Sequence, residues 1–293
     1  MIGKLIVIAI CAALAGVSYF APWILNSVFD LLDLGLGWMG PFMMVTLISA
    51  VTGVLFILAF PHVSAQGAIV AVKDRIKYNL LGIRIFQDDM PTVGKGVLGS
   101  MGWNFGYIGL NILPMIVLAA PFMVIWFQLN ALYAYKPLDV GDKFQIVAEF
   151  REGIAANEVE VQLPAGLDLI ERGNTRDKVV LVVEADAQGS QDLLFLHEGQ
   201  EVNKVVEVGT DPRRLARLKT SDPFGNFVAQ KDPILFFGDE VLQASSFVKT
   251  ITVPYSNAAL GFMDGGEISI MLWFVVVSMV VGFGLKGVFG VEI

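Results

Sequence analysis

The sequence predicts a membrane α-helical bundle of four transmembrane helices, with an extracytoplasmic β-sandwich domain inserted before the last. Three observations carry this expectation. Of the 293 residues, 55% are hydrophobic and only 16% charged, and the mean hydropathy is +0.65, a balance characteristic of integral membrane proteins. The run from Gly96 to Tyr135 holds no Asp, Glu, Lys or Arg and exceeds the roughly 20 residues that cross a bilayer. From about Pro137 to Pro254 apolar and polar residues alternate with period two, the pattern of half-buried strands.

Residues 1–20 form the first expected span, a transmembrane helix or signal anchor built on the apolar run Leu5 to Phe20 after Lys4. A cleavable signal peptide is the rival reading, with Ala13-Leu14-Ala15 as its processing site. Cys11, the single cysteine, lies in this run. One thiol supports neither a disulfide framework nor a zinc site, so Cys11 reads as packing. Residues 21–41 form an outer interfacial segment. Trp23, Ile24, Val28, Leu31 and Leu32 lie broadly along one side of a helix, with Asp30 and Asp33 among them. That pattern fits a helix lying in the interface, with an irregular loop as the alternative.

Residues 42–60 form the second span. Residues 61–102 form a cytoplasmic basic hairpin. Ile69, Val72, Ile76, Leu80 and Ile83 recur at helical steps, and Lys73, Arg75, Lys77 and Arg84 decorate that helix. Asp88-Asp89-Met90-Pro91 breaks it. The return carries Gly94, Gly96, Gly99 and Gly102, so it is flexible or closely packed. Residues 103–135 form the third span, with a helix bend at Pro114 and Pro121. Its amides Asn104, Asn111, Gln128 and Asn130 must face protein or a wet cavity rather than lipid.

Residues 136–262 form the β-sandwich domain. Strands are expected over 143–150, 158–163, 178–184, 192–197, 201–208 and 247–253, with turns at Pro164-Ala165-Gly166, Gly173-Asn174, Gln188-Gly189-Ser190 and Gly209-Thr210-Asp211-Pro212. The stretch from Arg213 to Glu240 reads as irregular, with Arg213, Arg214, Arg217 and Lys219 as a local basic patch. Residues 263–293 form the fourth span, Ile268 to Leu285, and a cytoplasmic tail starting at Lys286. Trp23, Trp38, Trp103, Trp126 and Tyr133 sit near span ends, where aromatic belts anchor helices.

Charge sets the orientation. Lys73, Arg75, Lys77, Arg84 and Lys95 lie between the second and third spans, and such basic loops stay cytoplasmic. Lys4 and Lys286 then fall inside as well, so both termini are cytoplasmic, in the plasma (inner) membrane. The segment Asp139 to Asp264 carries 21 acids and 12 bases, a net −9, against +1 for the remainder. It falls outside, and its acidity argues against DNA as a partner.

A search for catalytic chemistry returns no assignment. The two histidines, His62 and His197, are expected on opposite sides of the membrane. No phosphate loop, nucleophile elbow or zinc-protease motif is present, so no catalytic, cofactor or metal residue is named. Polarity inside the spans is what remains. Thr46, Ser49 and Thr52 step along one face of the second span. Asn104 and Asn111 share a face of the third, and Ser278 with Ser269 lies on the fourth. They either line a hydrated groove or make interhelical hydrogen bonds within the bundle. No charged residue lies deep in a span, which disfavours coupled ion transport.

The order of a span in, a basic amphipathic hairpin, a proline-containing span out, an extracytoplasmic segment and a closing span resembles the YidC/Oxa/Alb insertase superfamily, closest to its archaeal and endoplasmic-reticulum membrane-complex branch. The run Ile112-Leu113-Pro114-Met115-Ile116-Val117-Leu118-Ala119-Ala120-Pro121-Phe122-Met123 is similar to that superfamily's helix after the hairpin. Leu272-Trp273-Phe274 through Leu285-Lys286-Gly287-Val288-Phe289-Gly290-Val291 is similar to its closing helix. The resemblance implies insertion or chaperoning of membrane proteins without nucleotide hydrolysis, and hence no cofactor and no enzyme. The expected partners are the lipid bilayer, membrane-protein clients, and the ribosome at the basic hairpin. The competing expectation is a structural accessory subunit that docks fixed membrane-complex subunits through its β-domain. Its glycines at 53, 106, 109, 282 and 284 would serve close helix contacts.

Overall fold

The computed structural model describes residues 2–209, 214–221, 242–243 and 245–292. Most of the expected irregular stretch from Arg213 to Glu240, Arg213 included, lies outside them. The chain divides into two compact units, Met1–Gly16 with Thr46–Val124 and Trp273–Ile293, and Val17–Val45 with Ile125–Leu272.

The first unit is helical. It contains the start of α1 (Ile2–Phe20), most of α3 (Pro41–Val63), α4 (Gln66–Ile85), α5 (Met90–Tyr133) up to Val124, and α6 (Gly266–Leu285) from Trp273. Among the described residues three helices, α3, α5 and α6, are long and apolar enough to cross a membrane. The first apolar segment joins them only as a broken pair, Gly3–Ser18 with Trp23–Met39. Just 33%, 17% and 17% of the most apolar windows of α3, α5 and α6 is buried. That leaves most of their surface for lipid or other chains.

The glycine-rich return and the third span are one element. α5 runs for 44 residues, about 66 Å, more than twice the roughly 30 Å of a hydrocarbon core. The glycines do not interrupt it because two of them are packing sites. A Cβ at Gly96 would meet Ile83 Cγ1 at 2.7 Å, and one at Gly99 would meet Asn79 Nδ2 at 2.8 Å. α4 therefore lies against α5, with Ile69 and Val72 buried. The turn between them is closed by Thr92, whose hydroxyl donates to Asp89. Pro114 and Pro121 sit inside the uninterrupted helix, where each missing N–H deprives a carbonyl four residues back of its donor.

The second unit holds two antiparallel sheets. One has the order β3-β4-β1-β8-β7 and the other β2-β5-β6. Their strands are β1 (Lys143–Phe150), β2 (Glu160–Gln162), β3 (Leu167–Asn174), β4 (Lys178–Ala185), β5 (Gly189–His197), β6 (Gln200–Val208), β7 (Leu218–Thr220) and β8 (Val248–Thr252). Ile146, Leu181 and Val183 from one sheet and Leu193, Phe195 and Val206 from the other are fully buried in a shared core, as period-two alternation requires. β3 falls outside the expected strands. It is an edge strand exposed along nearly its whole length, with a register shift between Leu169 and Glu171. Neither face is buried, so no alternation marks it. β7 is too short to show a pattern. The same unit contains α2 (Pro22–Leu36), a regular helix rather than a loop.

Candidate functional site

Within the first unit, α3 and α6 approach closely enough for backbone contact. A Cβ on Gly53 would stand 2.5 Å from the Ser278 carbonyl oxygen, and one on Gly282 would stand 3.5 Å from that of Gly53. Small residues permit such approach between apolar helices. The Trp273 indole N–H donates to the Thr46 hydroxyl at 2.8 Å. Thr52 donates to the Ile48 carbonyl at 2.7 Å and Ser278 to Val275 at 3.1 Å. Ser49 is fully buried. The structure thus joins α3 and α6 in one seam through Thr46 with Trp273 and Gly53 with Ser278, while the Thr52 and Ser278 hydroxyls bond carbonyls of their own helices and Ser49 is buried. Asn104 and Asn111 lie on α5 and donate to Ser100 and Tyr107 of their own helix, each at 2.8 Å.

Beside the seam, α3, α5 and α6 enclose an open apolar cleft of about 400 Å³. It is lined by Phe56, Phe60, Met115, Leu118, Met279 and Phe283, together with Gly53 and Gly282. Phe122 stacks obliquely on Phe274, with centroids 4.8 Å apart, and lies 6.4 Å from Phe56. Methionine and phenylalanine give such a cleft an adaptable, uncharged wall.

The helix α4 carries four of this unit's basic groups, Lys73, Arg75, Lys77 and Arg84. Arg75 lies 4.3 Å above the Trp103 ring, so Trp103 is a stacking partner of the basic helix. Lys73 pairs with Glu292 at 2.9 Å. The Gln66 carboxamide donates to the Glu292 carbonyl and accepts from its N–H. Lys77 and Arg84 flank a shallow groove of about 370 Å³ with Ile76, Leu80 and Leu81.

In the second unit a polar network seats α2. Asn26, Asp30 and Asp33 recur at helical steps and face protein. Arg214 donates to Asp30 at 2.8 Å and to the Asn26 carbonyl at 2.9 Å. Gln128 donates to Asn26 at 2.9 Å and Tyr133 to Asp33 at 2.7 Å. Burial pulls the Arg214 guanidinium below its ordinary range, and Asp30 draws it back up. Tyr135 bonds Glu267, and Arg217 lies 5.1 Å over the Tyr135 ring. Beside that polar face, the flank of α2 with Trp23, Leu31 and Leu34 is apolar and exposed, at 68%, 69% and 66%. A soluble domain turns such a face inward, and this helix turns it outward. Of the five aromatics expected in a belt, Trp23 and Trp38 are exposed, while Trp126 and Tyr133 are buried in this unit.

Sequence reasoning did not single out Phe60, Met115 or Phe283 as cleft residues, because apolar residues in a span carry no signal of which neighbour they face. It named Arg214 only within a basic patch. The signal for its role was Asp30 and Asp33 within an otherwise apolar helix, since such acids demand a cation or donor. Among the described residues no group of three or more His, Cys, Asp or Glu is placed to hold a metal.

Among the described residues, three span-length helices and a two-sheet β-domain give the plan of a membrane protein. The chain matches no family model and no curated protein.

Proposed function

We propose that this chain is an insertase-like chaperone of membrane-protein biogenesis, similar in plan to the YidC/Oxa/Alb superfamily. The observation that supports it best is the cleft between α3, α5 and α6, walled by Phe60, Met115 and Phe283 and free of charge. It fits the apolar segment of a client. Shape and dispersion would hold the client there, because lipid offers no hydrophobic drive for helices to associate. The cleft replaces the hydroxyl seam as the client's contact, since Thr46, Ser49, Thr52 and Ser278 are engaged within the protein. With the broken α1–α2 pair as a first span, four spans would leave both termini and the basic hairpin in the cytoplasm and the acidic β-domain outside the plasma (inner) membrane. Lys77 and Arg84 on the hairpin are the groups to meet a nascent chain or ribosomal RNA.

The closed seam favours a second reading, a structural accessory subunit, because its polar groups are already satisfied. A photoreactive residue at Met115, at native expression, separates the two. Crosslinks to many newly made membrane proteins support the chaperone. Crosslinks to one fixed protein support the subunit, and crosslinks to lipid alone refute both.

A further inference from the structure

We infer that α4 carries a recognition site for an extended peptide bearing an apolar–acidic pair, and that the segment after α6 occupies this site in cis as a strap. All the groups concerned lie within the first unit, and the inference holds for either reading of the function.

The strap is built by a chain reversal. α6 ends at Leu285, and the Val288 and Phe289 N–H groups fold back onto the Leu285 carbonyl at 3.0 and 3.1 Å. Gly290 then takes φ +61°, a left-handed conformation that glycine adopts without steric cost. The Val291 N–H reaches the Lys286 carbonyl at 2.9 Å. Residues 286–290 are exposed, yet Val291 is only 6% exposed.

Glu292 is held on α4 at three points. Gln66 Nε2 donates to its carbonyl at 3.1 Å, and Gln66 Oε1 accepts from its N–H at 2.8 Å. Lys73 Nζ pairs with its carboxylate at 2.9 Å. Gln66 Nε2 also donates to the Ser64 hydroxyl at 2.5 Å, which fixes the plane of the carboxamide. Gln66 and Lys73 are seven residues apart, so they share a face of α4. An exposed ion pair contributes little by itself, and these two side chains are 36% and 51% exposed. The paired main-chain bonds and the burial of Val291 mark a seated segment rather than a chance meeting of charges.

The chemistry of the occupant follows from these contacts. Gln66 offers an acceptor to an N–H and a donor to the carbonyl of the same residue, so it reads a peptide main chain. A phosphodiester backbone has acceptors but no N–H, so the site favours peptide over nucleic acid. Lys73 selects an acidic side chain, and the place of Val291 takes an apolar one before it. Lys73 also lines the groove with Ile76, Lys77, Leu80, Leu81 and Arg84. Its cations at 73, 77 and 84 step along one face by four and seven, and Glu292 engages the first of them. A longer acidic segment with apolar residues between its acids would meet Lys77 and Arg84 as well, and so displace Glu292 from Lys73. The tether gives the strap an effective concentration on the order of millimolar, so short or weakly acidic segments are turned away.

The strap is tested in native membranes with the full chain in a Cys11→Ala background. Val291→Cys should react slowly with water-soluble maleimide, and Lys73→Glu should speed it about tenfold by opening the contact. The charge swap of Lys73→Glu with Glu292→Lys should restore slow labelling, which a general loosening of α4 would not. The site is tested on the purified chain with a fluorescent, amidated peptide copying residues 286–292. It should bind the Glu292→Lys chain about tenfold tighter than the unsubstituted chain, whose site is occupied. Adding Gln66→Ala should remove that gain. Fast labelling of Val291→Cys in every background, a charge swap that fails to slow it, or equal peptide binding to the Glu292→Lys and unsubstituted chains would each overturn the inference.

Discussion

Gly53→Ala tests whether the α3–α6 seam is closed. The added methyl would stand 2.5 Å from the Ser278 carbonyl oxygen, 3.0 Å from its Cα and 3.1 Å from its carbonyl carbon. All three are backbone atoms, so no rotamer change relieves the overlap. The helices must separate by about 1 Å to restore ordinary contact. Overpacking of this kind costs about 1–3 kcal/mol. Widening the seam also stretches the Trp273–Thr46 bond from 2.8 Å, and an interhelical bond of this type is worth about 0.6 kcal/mol. Alanine returns up to about 1 kcal/mol through helix propensity, which leaves a net loss of about 0.6–2.6 kcal/mol. Gly282→Ala is the matched control. Its methyl meets the Gly53 carbonyl at 3.5 Å, an ordinary contact, so propensity should leave it neutral or slightly stabilised. The assay is denaturation of the purified chain by sodium dodecyl sulfate in mixed micelles, followed by tryptophan fluorescence. If Gly53→Ala unfolds no earlier than Gly282→Ala, the seam is open and the packing argument fails.

Further outcomes follow from the same geometry. A cysteine at Ser49, in the Cys11→Ala background, should resist water-soluble maleimide from either side of the membrane, and rapid labelling would restore the hydrated groove. Arg214→Ala should destabilise the second unit by about 2–3 kcal/mol by leaving Asp30 and the Asn26 carbonyl without their donor, with Arg214→Lys intermediate. Protease release of α2 at lower denaturant concentration would report it. Gly96→Leu should drive α4 from α5, since even a methyl there meets Ile83 at 2.7 Å. Faster amide exchange in both helices is expected, and unchanged exchange would contradict the close packing. A cysteine at Gly199, in the turn between β5 and β6, should label in intact cells, and one at Lys77 only after permeabilisation. The opposite result would invert the proposed topology.

Much of the architecture was legible in local pattern. Spans announce themselves because hydrocarbon tolerates few charges over a fixed thickness. β1, β4 and β6 announce themselves because one face of each meets a core, and that burial is written in alternation. Tertiary contact decided the rest. The glycines of the hairpin return could mean looseness or close packing, and only α4 lying against Gly96 and Gly99 made them part of one 44-residue helix. β3 escaped detection because an exposed edge strand buries nothing. Thr46, Ser49 and Thr52 were visible as polar residues in a span, but a hydroxyl carries no record of whether its partner is water or a helix. Trp273, more than two hundred residues away, answered that for Thr46, and the Ile48 carbonyl of its own helix answered it for Thr52. α2 makes the same point: Asp30 and Asp33 could be read as acids among apolar residues, while their inward turn depended on Arg214 and Tyr133. The sequence by itself determined which segments are apolar, extended or charged, because those are properties of consecutive residues. Only the tertiary structure decided which faces meet, because that depends on partners distant along the chain.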